Sequence, residues 1–286
     1  ARLFLARRGG SVVGRVAGII NRLHLARWGD GAGFFGFFET VRDPAVAGAL
    51  LGEVTAWLRS RGLTAVRGPV NPSTHDECGL LIDGFDRPPC LLMPYNPPYY
   101  PSLVEGLGLR PIRELVSYAV EVPAALPARV EHAARAAEGR GIRVRPLDPR
   151  RLSAETEVIR NLYNAAWGEN WGVVPMTAGE TASLATRLRP VLVPELALIA
   201  ESAGRPVGFL LCLPDINPAL RLLRGRLTPW GLARFLWRRR GLAGVRLMAL
   251  GVIPEARRQG VDALLYREWH SAVRCRGYRW AEAGWI

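Results

Sequence analysis

The 286-residue sequence contains no lysine, so arginine supplies all 38 of its basic side chains and its net charge of +13 at pH 7. Without lysine, the chain cannot use a Schiff base, attach pyridoxal phosphate or build a P-loop. A high positive charge is typical of nucleic-acid binding, but scattered arginines indicate genome composition as much as a selected surface. We therefore predict no nucleic-acid partner. Small polyanions or an acidic acyl carrier protein fit the charge equally well.

Other kinds of site are also missing. The four cysteines are far apart, with no CxxC pair, which predicts no metal and no disulfide framework and is typical of a cytoplasmic protein. No GxSxG pattern of a serine hydrolase is present. No apolar run reaches the ~18–20 residues of a membrane-spanning helix, and the first residues lack the order of a signal peptide.

Apolar periodicity divides the first part of the chain into seven elements. A hairpin turning at Gly9 and Gly10 is followed by a strand, a helix, a strand, a short helix and a strand. Asp43 and Pro44 mark the start of the long helix, because aspartate caps helices and proline suits the first helical position. We predict the elements at residues 3–7, 12–21, 33–41, 44–61, 65–69, 102–107 and 115–122.

The same order begins again after residues 123–141, which read as a linker helix. The second set of elements is predicted at residues 142–147, 154–167, 180–188, 196–201, 207–213, 245–252, 260–277 and 279–286. We therefore predict an α/β protein with two copies of one domain, 1–122 and 142–286, each a mixed sheet flanked by helices. Because the last strand has no element to cover its edge, we expect both domains to be incomplete at the chain ends.

One strand-to-helix turn in the second part carries the chemistry. Residues 252–263 read VIPEARRQGVDA; the strand ends at Pro254, which cannot continue a ladder, and a helix follows Gly260. A helix start presents free N–H groups and the positive end of the dipole, so it binds anions. Gly260 permits close backbone approach, and Arg257 and Arg258 can donate charge-assisted bonds to phosphate. The turn predicts a pyrophosphate site.

These residues resemble motif A of the GCN5-related N-acetyltransferase (GNAT) superfamily, whose pattern is R/Q-x-x-G-x-G/A after a V-x-P strand end. The resemblance covers residues 142–286 by motif and residues 1–122 by element order, as in tandem GNAT proteins in which one half keeps the donor site. It implies acetyl-CoA or another acyl-CoA as donor, with the pantetheine arm paired to the last residues of the strand. The implied donor site comprises Leu250, Val252, Arg257, Arg258, Gln259, Gly260, Val261, Asp262 and Ala263.

The resemblance also implies an acceptor side, lined by the first helices of the domain. It makes Glu169 a candidate general base, with Asn170 and Trp171 as candidate substrate contacts. The alternative is a helix end with tryptophans in the core. Asp215, which follows a hairpin strand, is a second candidate base. The tyrosine that usually serves as acid in the family is expected beyond the end of this sequence.

Asp262 departs from the pattern, which has a small residue at this position. A carboxylate in the first helical turn suits the dipole, but it would repel a pyrophosphate if it pointed inward. We favour an outward-facing side chain, with a weakened donor site as the alternative.

Two features of the first half bear on ligand binding. Residues 31–36 match GxGxxG, but a strand rather than a helix follows, so we interpret them as a hairpin loop and not as a dinucleotide site. The turn that corresponds to the motif, residues 40–44, has a capped helix and no RxxGxG pattern. We therefore expect no CoA in the first half.

Residues 218–240 form an insertion before the motif strand. Its helix, which begins at Thr228, carries tryptophans, leucines and arginines. Residues 228–240 could therefore contact a membrane surface, cover a long acyl chain, dock an acyl carrier protein or pack against the other domain.

Together these features predict an acyl-CoA-dependent N-acyltransferase. It would move an acetyl or longer acyl group to a small-molecule primary amine by direct attack on the thioester, without a metal. Two alternatives stay open: a non-catalytic GNAT-fold protein that binds a ligand or partner, and a long-chain acyltransferase that uses an acyl carrier thioester. Acceptor pockets vary on a shared scaffold, so the motif does not name the amine.

Overall fold

A computed structural model describes residues 1–285 of the chain. Its tertiary contacts divide these residues into two compact units. The first comprises residues 1–114 with 170–175, and the second comprises residues 115–169 with the rest of the chain from residue 176. Each unit contains one β-sheet flanked by helices, which confirms the α/β prediction.

The first unit is built on a four-stranded sheet. Its strands, hydrogen-bonded in chain order, are β1 (Arg2–Arg8), β2 (Ser11–Ile19), β3 (Ala32–Thr40) and β4 (Ala65–Arg67). β3 and β4 are parallel, whereas the other neighbours are antiparallel. Its helices are α1 (Arg22–Trp28), α2 (Pro44–Ser60) and α3 (Tyr100–Glu105). The predicted hairpin, third strand and long helix are present, and α1 is an additional helix.

Helix α2 covers this sheet with its apolar face. The Asp43 side chain accepts a hydrogen bond of 2.8 Å from the Ala45 N–H and so caps the helix as predicted. Side chains one turn apart share a face, and this face packs in the core with Phe35. The buried side chains of α2 are Val46, Ala47, Leu50, Leu51, Val54 and Leu58. Burying each large aliphatic side chain contributes about 1.5–3 kcal/mol.

The glycine-rich residues 31–36 enter β3 rather than a loop. Only Gly31 precedes the strand, so the predicted hairpin loop is wrong, while the absence of a following helix agrees with the rejection of a dinucleotide site. A Cβ atom on Gly36 would lie 2.2 Å from the carbonyl oxygen of Val70. Glycine is therefore needed here because another backbone segment crosses the strand.

The second unit is built on a six-stranded sheet in the order β5-β10-β9-β8-β7-β6. β9 and β10 are parallel, and the other neighbours are antiparallel. The strands are β5 (Tyr118–Glu121), β6 (Ile142–Pro146), β7 (Ala197–Ser202), β8 (Arg205–Pro214), β9 (Gly244–Val252) and β10 (Trp280–Ala283). The helices are α4 (Ala128–Gly139), α5 (Leu152–Trp167), α6 (Ala178–Leu188), α7 (Asn217–Leu220), α8 (Pro229–Arg238) and α9 (Val261–Cys275).

Two elements that the sequence analysis placed before the second domain belong to the second unit. β5 pairs with β10, and Val120 lies opposite Ala281. α4 packs against α9, with Ala134 and Ala137 fully buried in the core. α4 is therefore a packed layer and not a linker. Periodicity predicts the type of an element, but its neighbour depends on long-range pairing.

Candidate functional site

The VIPEARRQGVDA turn has the predicted geometry of a strand end followed by a helix start. β9 ends at Val252, and residues 254–256 form a single 3-10 turn. Gly260 precedes α9 with φ of +81°, in the left-handed region that glycine adopts without strain. The 15 residues of α9 then run behind the sheet, with Leu264 and Leu265 buried in the core.

The backbone of this turn exposes a run of hydrogen-bond donors. Across residues 1–285, no acceptor is bonded to the backbone N–H groups of residues 258–263, and the first N–H engaged in the helix is that of Leu264, which donates to Gly260 O at 3.0 Å. Six consecutive N–H groups without a backbone acceptor therefore lie at the start, the positive end, of a 15-residue helix. This arrangement can hold a phosphate or pyrophosphate group.

The two arginines of the turn have different surroundings. Arg257 donates from Nε to Val252 O at 3.3 Å and from Nη2 to Ala166 O at 2.9 Å, so it fastens the end of α5 to the end of β9. Arg258 is exposed and has no ion pair within the described residues. Its φ of +61° is unusual for a residue with a side chain. Of the two guanidinium groups proposed for phosphate, that of Arg258 is the one left available.

Gly260 packs closely against helix α4. A Cβ atom at this position would lie 2.5 Å from Ala133 O and 3.4 Å from Ala137 Cβ, both on α4. The sequence analysis assigned this glycine to close approach by a ligand, and the structure adds a packing reason. Asp262, two residues later, is exposed, as expected for an outward-facing residue.

The other members of the predicted donor set play structural parts. Gln259 donates from Nε2 to Glu255 O at 2.9 Å, and its own carbonyl accepts from Arg140 Nη1 at 3.2 Å. Val261 is buried, and Ala263 is partly buried against the same core. These contacts fix the shape of the turn.

The strand that leads into the turn has an open edge. Ala283, at the end of β10, pairs with Leu247, and among residues 1–285 no strand pairs with residues 248–252 of β9 on that side. The Ile253 N–H donates to Val207 O, which continues the pairing toward β8. Because peptide groups alternate in direction along a strand, those of Leu250 and Val252 face the open edge.

The two outward carbonyls are already engaged. The indole Nε1 of Trp167 donates to Leu250 O at 3.2 Å, and Arg257 donates to Val252 O. The outward N–H groups of both residues have no acceptor within residues 1–285. The edge therefore offers two donors, at Leu250 and Val252, to an extended ligand arm.

A bulge interrupts β9 just before this edge. Ala249 lies opposite Leu211 and Leu247 opposite Cys212, which leaves Met248 as the extra residue. Bulges bend a strand and end regular pairing. The bulge lies where the pairing of β9 with β10 ends, at Leu247, while the pairing of β9 with β8 continues to Val252.

Comparison with known proteins gives two curated relatives, while no family model matches the chain. Protein YghO of Escherichia coli K12 is 33% identical over 259 residues, and the bacterial ceramide synthase of Caulobacter vibrioides is 36% identical over 254 residues. Each alignment covers 88% of this chain. The chain spans 65% and 66% of the lengths of these relatives, respectively.

A solved structure decides the fold. The GCN5-related glucosamine N-acetyltransferase region of a fungal multi-domain beta-N-acetylglucosaminidase superposes on 99% of this chain and on 30% of that chain, with a TM-score of 0.57 and 13% identity. The chain has a GNAT fold. The fold prediction is therefore confirmed for both halves, and the low identity limits this comparison to the fold.

Within this GNAT fold, the two candidate bases lie at different places. Glu169 is exposed and follows α5 directly, two residues after Trp167, whose indole contacts the open edge. Asp215 is 4% exposed and follows β8, where its N–H donates to Gly244 O and its Oδ1 accepts from the Asn217 N–H. The nine residues of β9 are separated by eight steps of about 3.3 Å, so the strand spans about 26 Å. Asp215 is therefore at the far end of the strand from the phosphate turn.

Asn170 and Trp171 belong to the first compact unit, unlike the motif. Trp171 is 41% exposed, and the guanidinium carbons of Arg67 and Arg113 each lie 5.5 Å from its ring centroid. Such cation–π contacts hold an aromatic ring at a surface. Their predicted role as substrate contacts stays a prediction.

In the first unit, residues 40–44 form the turn that corresponds to the motif. The Asp43 side chain occupies the helix start at this turn. Asp43 accepts from the Ala45 N–H and pairs with Arg8 at 2.7 Å. The hydrogen bond from Arg8 and that from Ala45 lower the pKa of the Asp43 carboxyl. A carboxylate at this helix start would repel a phosphate group.

Two of the four cysteines are buried thiols that are not activated as nucleophiles. Cys78 and Cys212 are buried, and burial raises the pKa of their thiols to about 11 and about 12, respectively. Thiols in that range are poor nucleophiles at neutral pH. In the part of the chain described, residues 1–285, no cluster of three His, Cys, Asp or Glu side chains is placed to hold a metal ion. No helix among those residues has the length and apolarity to cross a membrane.

Sequence analysis did not single out Trp167 and the Ala166 carbonyl as parts of the site. Both lie on the last turn of α5 and reach β9 through the indole and Arg257, respectively. A tryptophan at a helix end next to polar residues was the available signal, but its hydrogen-bond partner is 83 residues away in sequence.

Proposed function

We propose that the second unit is an acyl-CoA-dependent N-acyltransferase. The observation that carries this proposal is the continuity of donors, from the open β9 edge at Leu250 and Val252 into the six unpartnered N–H groups of residues 258–263. An extended thioester arm that ends in a pyrophosphate matches both parts. Arg258 adds a positive charge at the phosphate end.

The proposed reaction is the direct attack of an amine on the thioester carbonyl. The amine nitrogen forms a bond to the carbonyl carbon, the carbon–sulfur bond breaks, and the products are an amide and a free thiol. One amine proton passes to a base and is balanced by protonation of the thiolate. We propose Glu169 as that base, since it adjoins the α5 end that contacts the β9 edge.

The curated relative named bacterial ceramide synthase supports a narrower proposal. A ceramide is an amide between a fatty acid and a long-chain amino alcohol. We therefore propose that the transferred group is a long-chain acyl group and that the acceptor is a long-chain primary amine. Because the chain spans 66% of that relative, the activity of the whole relative enters here as a proposal only.

A thiol-release assay with paired substrates tests the proposal. We expect thiol release only when both a thioester and a primary amine are present, in equal amounts with amide product detected by mass spectrometry. Acetyl-CoA, a long-chain acyl-CoA and the same acyl group on an acyl carrier protein distinguish the donors. Absence of amide with every pair would contradict the enzyme proposal.

A second candidate function is ligand binding without catalysis. It is favoured by the backbone N–H donors of the turn and of the β9 edge, which suffice to bind a ligand and do not by themselves perform chemistry. Calorimetry with CoA separates the two functions, because tight CoA binding without any amide product would support the binding module.

Substitutions of the two candidate bases are expected to change different quantities, the rate for Glu169 and the stability for Asp215. Glu169→Gln is expected to lower kcat roughly 100-fold, the usual contribution of a general base, with little change in the unfolding midpoint because the side chain is exposed. Glu169→Asp should restore part of the rate. Asp215→Ala is expected to lower the midpoint instead, because the Asn217 N–H loses the buried carboxylate that accepts its hydrogen bond. Steady-state kinetics and thermal unfolding of the three variants check this, and an unchanged kcat in Glu169→Gln would exclude this base.

A further inference from the structure

Three of the four most exposed large apolar side chains among the described residues lie in one segment, residues 221–240, hereafter the α8 segment. Leu227, Trp230 and Trp237 expose 81%, 83% and 73% of their surface. Helix α8 within this segment has no buried residue. Its fold is nevertheless defined, because Thr228 Oγ1 accepts from the Gly231 N–H and caps the helix.

The tryptophans lie on one side of α8. Trp230 and Trp237 are seven residues apart, which is two helical turns and about 10 Å along the axis. Arg234 lies one turn after Trp230, and Arg238 follows Trp237 directly. Both arginines therefore lie on the side of the helix next to the tryptophans. An exposed helix face that alternates indole and guanidinium groups is typical of a helix lying in a membrane interface.

The charge of the segment has one sign only. No Asp or Glu occurs from residue 216 to residue 254. No carboxylate within residues 1–285 forms an ion pair with the exposed arginines of the segment. These are Arg221, Arg224, Arg226, Arg234, Arg238, Arg239 and Arg240. The surface is thus complementary to a dense array of anions.

We propose that the α8 segment docks on the surface of an anionic phospholipid bilayer. Headgroup phosphates pair with the arginines, and the indoles of Trp230 and Trp237 with Leu227 enter the boundary between headgroups and acyl chains. An acidic protein or a nucleic acid would also match the charge, but indoles and a leucine that expose more than 70% of their surface beside arginines are typical of a helix in a membrane interface. The combination of both features therefore favours a lipid surface.

The position of the segment suits such a contact. It is inserted between β8 and β9, at the sheet end where the Asp215 N–H bonds Gly244 O. The phosphate turn follows the other end of β9. A bilayer against α8 would therefore lie at the end opposite the proposed CoA phosphates, which keeps the soluble nucleotide away from the membrane.

Vesicle co-sedimentation of the full chain tests the docking independently of any turnover. The vesicles are phosphatidylcholine alone or phosphatidylcholine with about one third phosphatidylglycerol, at low and high ionic strength. We expect binding to the anionic vesicles at least tenfold tighter than to the neutral ones, weakened by salt. Trp230→Ser with Trp237→Ser should reduce anionic-vesicle binding at least tenfold while the unfolding midpoint stays unchanged.

Matched variants distinguish docking through the α8 segment from non-specific binding through charge or exposed apolar side chains elsewhere. Arg239→Gln with Arg240→Gln should weaken binding several-fold more than Arg150→Gln with Arg151→Gln, which removes the same charge elsewhere on the second unit. Ile82→Ser with Ile112→Ser removes exposed apolar side chains from the first unit and should leave binding intact. Equal binding by wild type and the tryptophan variant overturns the proposal. Binding only to an oligonucleotide or to an acidic carrier protein also overturns it.

Discussion

Replacing Gly260 with valine is expected to destabilise the second unit by about 3 kcal/mol and to abolish CoA binding. The left-handed backbone at φ of +81° costs a side-chain residue about 1–2 kcal/mol, and overpacking adds about 1–3 kcal/mol. The new Cβ would lie 2.5 Å from Ala133 O. Because a backbone oxygen causes the clash, no shortening of the Ala133 side chain can relieve it, and Ala133→Gly should not rescue Gly260→Val.

Chemical denaturation and calorimetry with CoA measure the two effects. Gly179→Val is the matched control, since Gly179 lies on an exposed part of α6 with open space around it. It should change stability by less than about 0.5 kcal/mol, within the range of ordinary surface substitutions. A Gly260→Val variant as stable as wild type would show that α9 does not start against α4.

Arg258→Gly is expected to move stability and CoA affinity in opposite directions. Glycine relieves the positive φ of +61°, a gain of about 1–2 kcal/mol that the greater freedom of glycine in the unfolded chain reduces by about 0.5–1 kcal/mol. The net effect ranges from neutral to about 1.5 kcal/mol stabilising. Loss of the guanidinium should weaken CoA binding about tenfold, the lower range for a charge-assisted bond at an exposed site.

The neighbouring arginine, Arg257, is the matched comparison for Arg258. Arg257→Gln removes the bonds to Val252 O and Ala166 O, so it should lower stability by about 1 kcal/mol per bond lost. The salt dependence of CoA binding should fall in Arg258→Gly and change less in Arg257→Gln. If Arg258→Gly binds CoA as wild type does, the phosphate does not reach Arg258 and its strained backbone has another cause.

The left-handed backbone of Arg258 is informative because this conformation costs free energy. Residues with side chains in the left-handed region concentrate at sites where the surrounding structure imposes them. Here the strain falls on the residue whose N–H begins the run of six unpartnered donors. The geometry of the turn thus places both a strained backbone and an exposed cation where the proposal needs an anion.

Local signals in the sequence predicted the elements that position the site. Asp43 and Pro44 begin α2, and Pro254 and Gly260 separate β9 from α9 within one residue of the predicted start. These signals act over a few residues, through capping and backbone geometry, and so are readable without the fold. α1 was missed because it is a helix of only seven residues, too short for periodicity to distinguish from a loop.

Long-range contacts decided the rest. β5 was assigned to the first half, but it pairs with β10 near the other end of the chain, and α4 packs on α9 instead of linking two domains. The assignment of Arg257 to phosphate depended on where its side chain points, which is set by a carbonyl 91 residues away. Nothing in a local pattern reports such a partner.

The amino-acid sequence alone therefore determined the α/β class, the motif turn and the GNAT resemblance, since each rests on neighbours within about a dozen residues. Only the tertiary structure decided that the donors of the turn are unpartnered, that Gly260 is held by α4, and that Asp215 lies at the far end of β9 from the phosphate turn. The physical reason is the same in each case. Hydrogen-bond satisfaction, steric room and distance across a sheet are properties of segments brought together by folding.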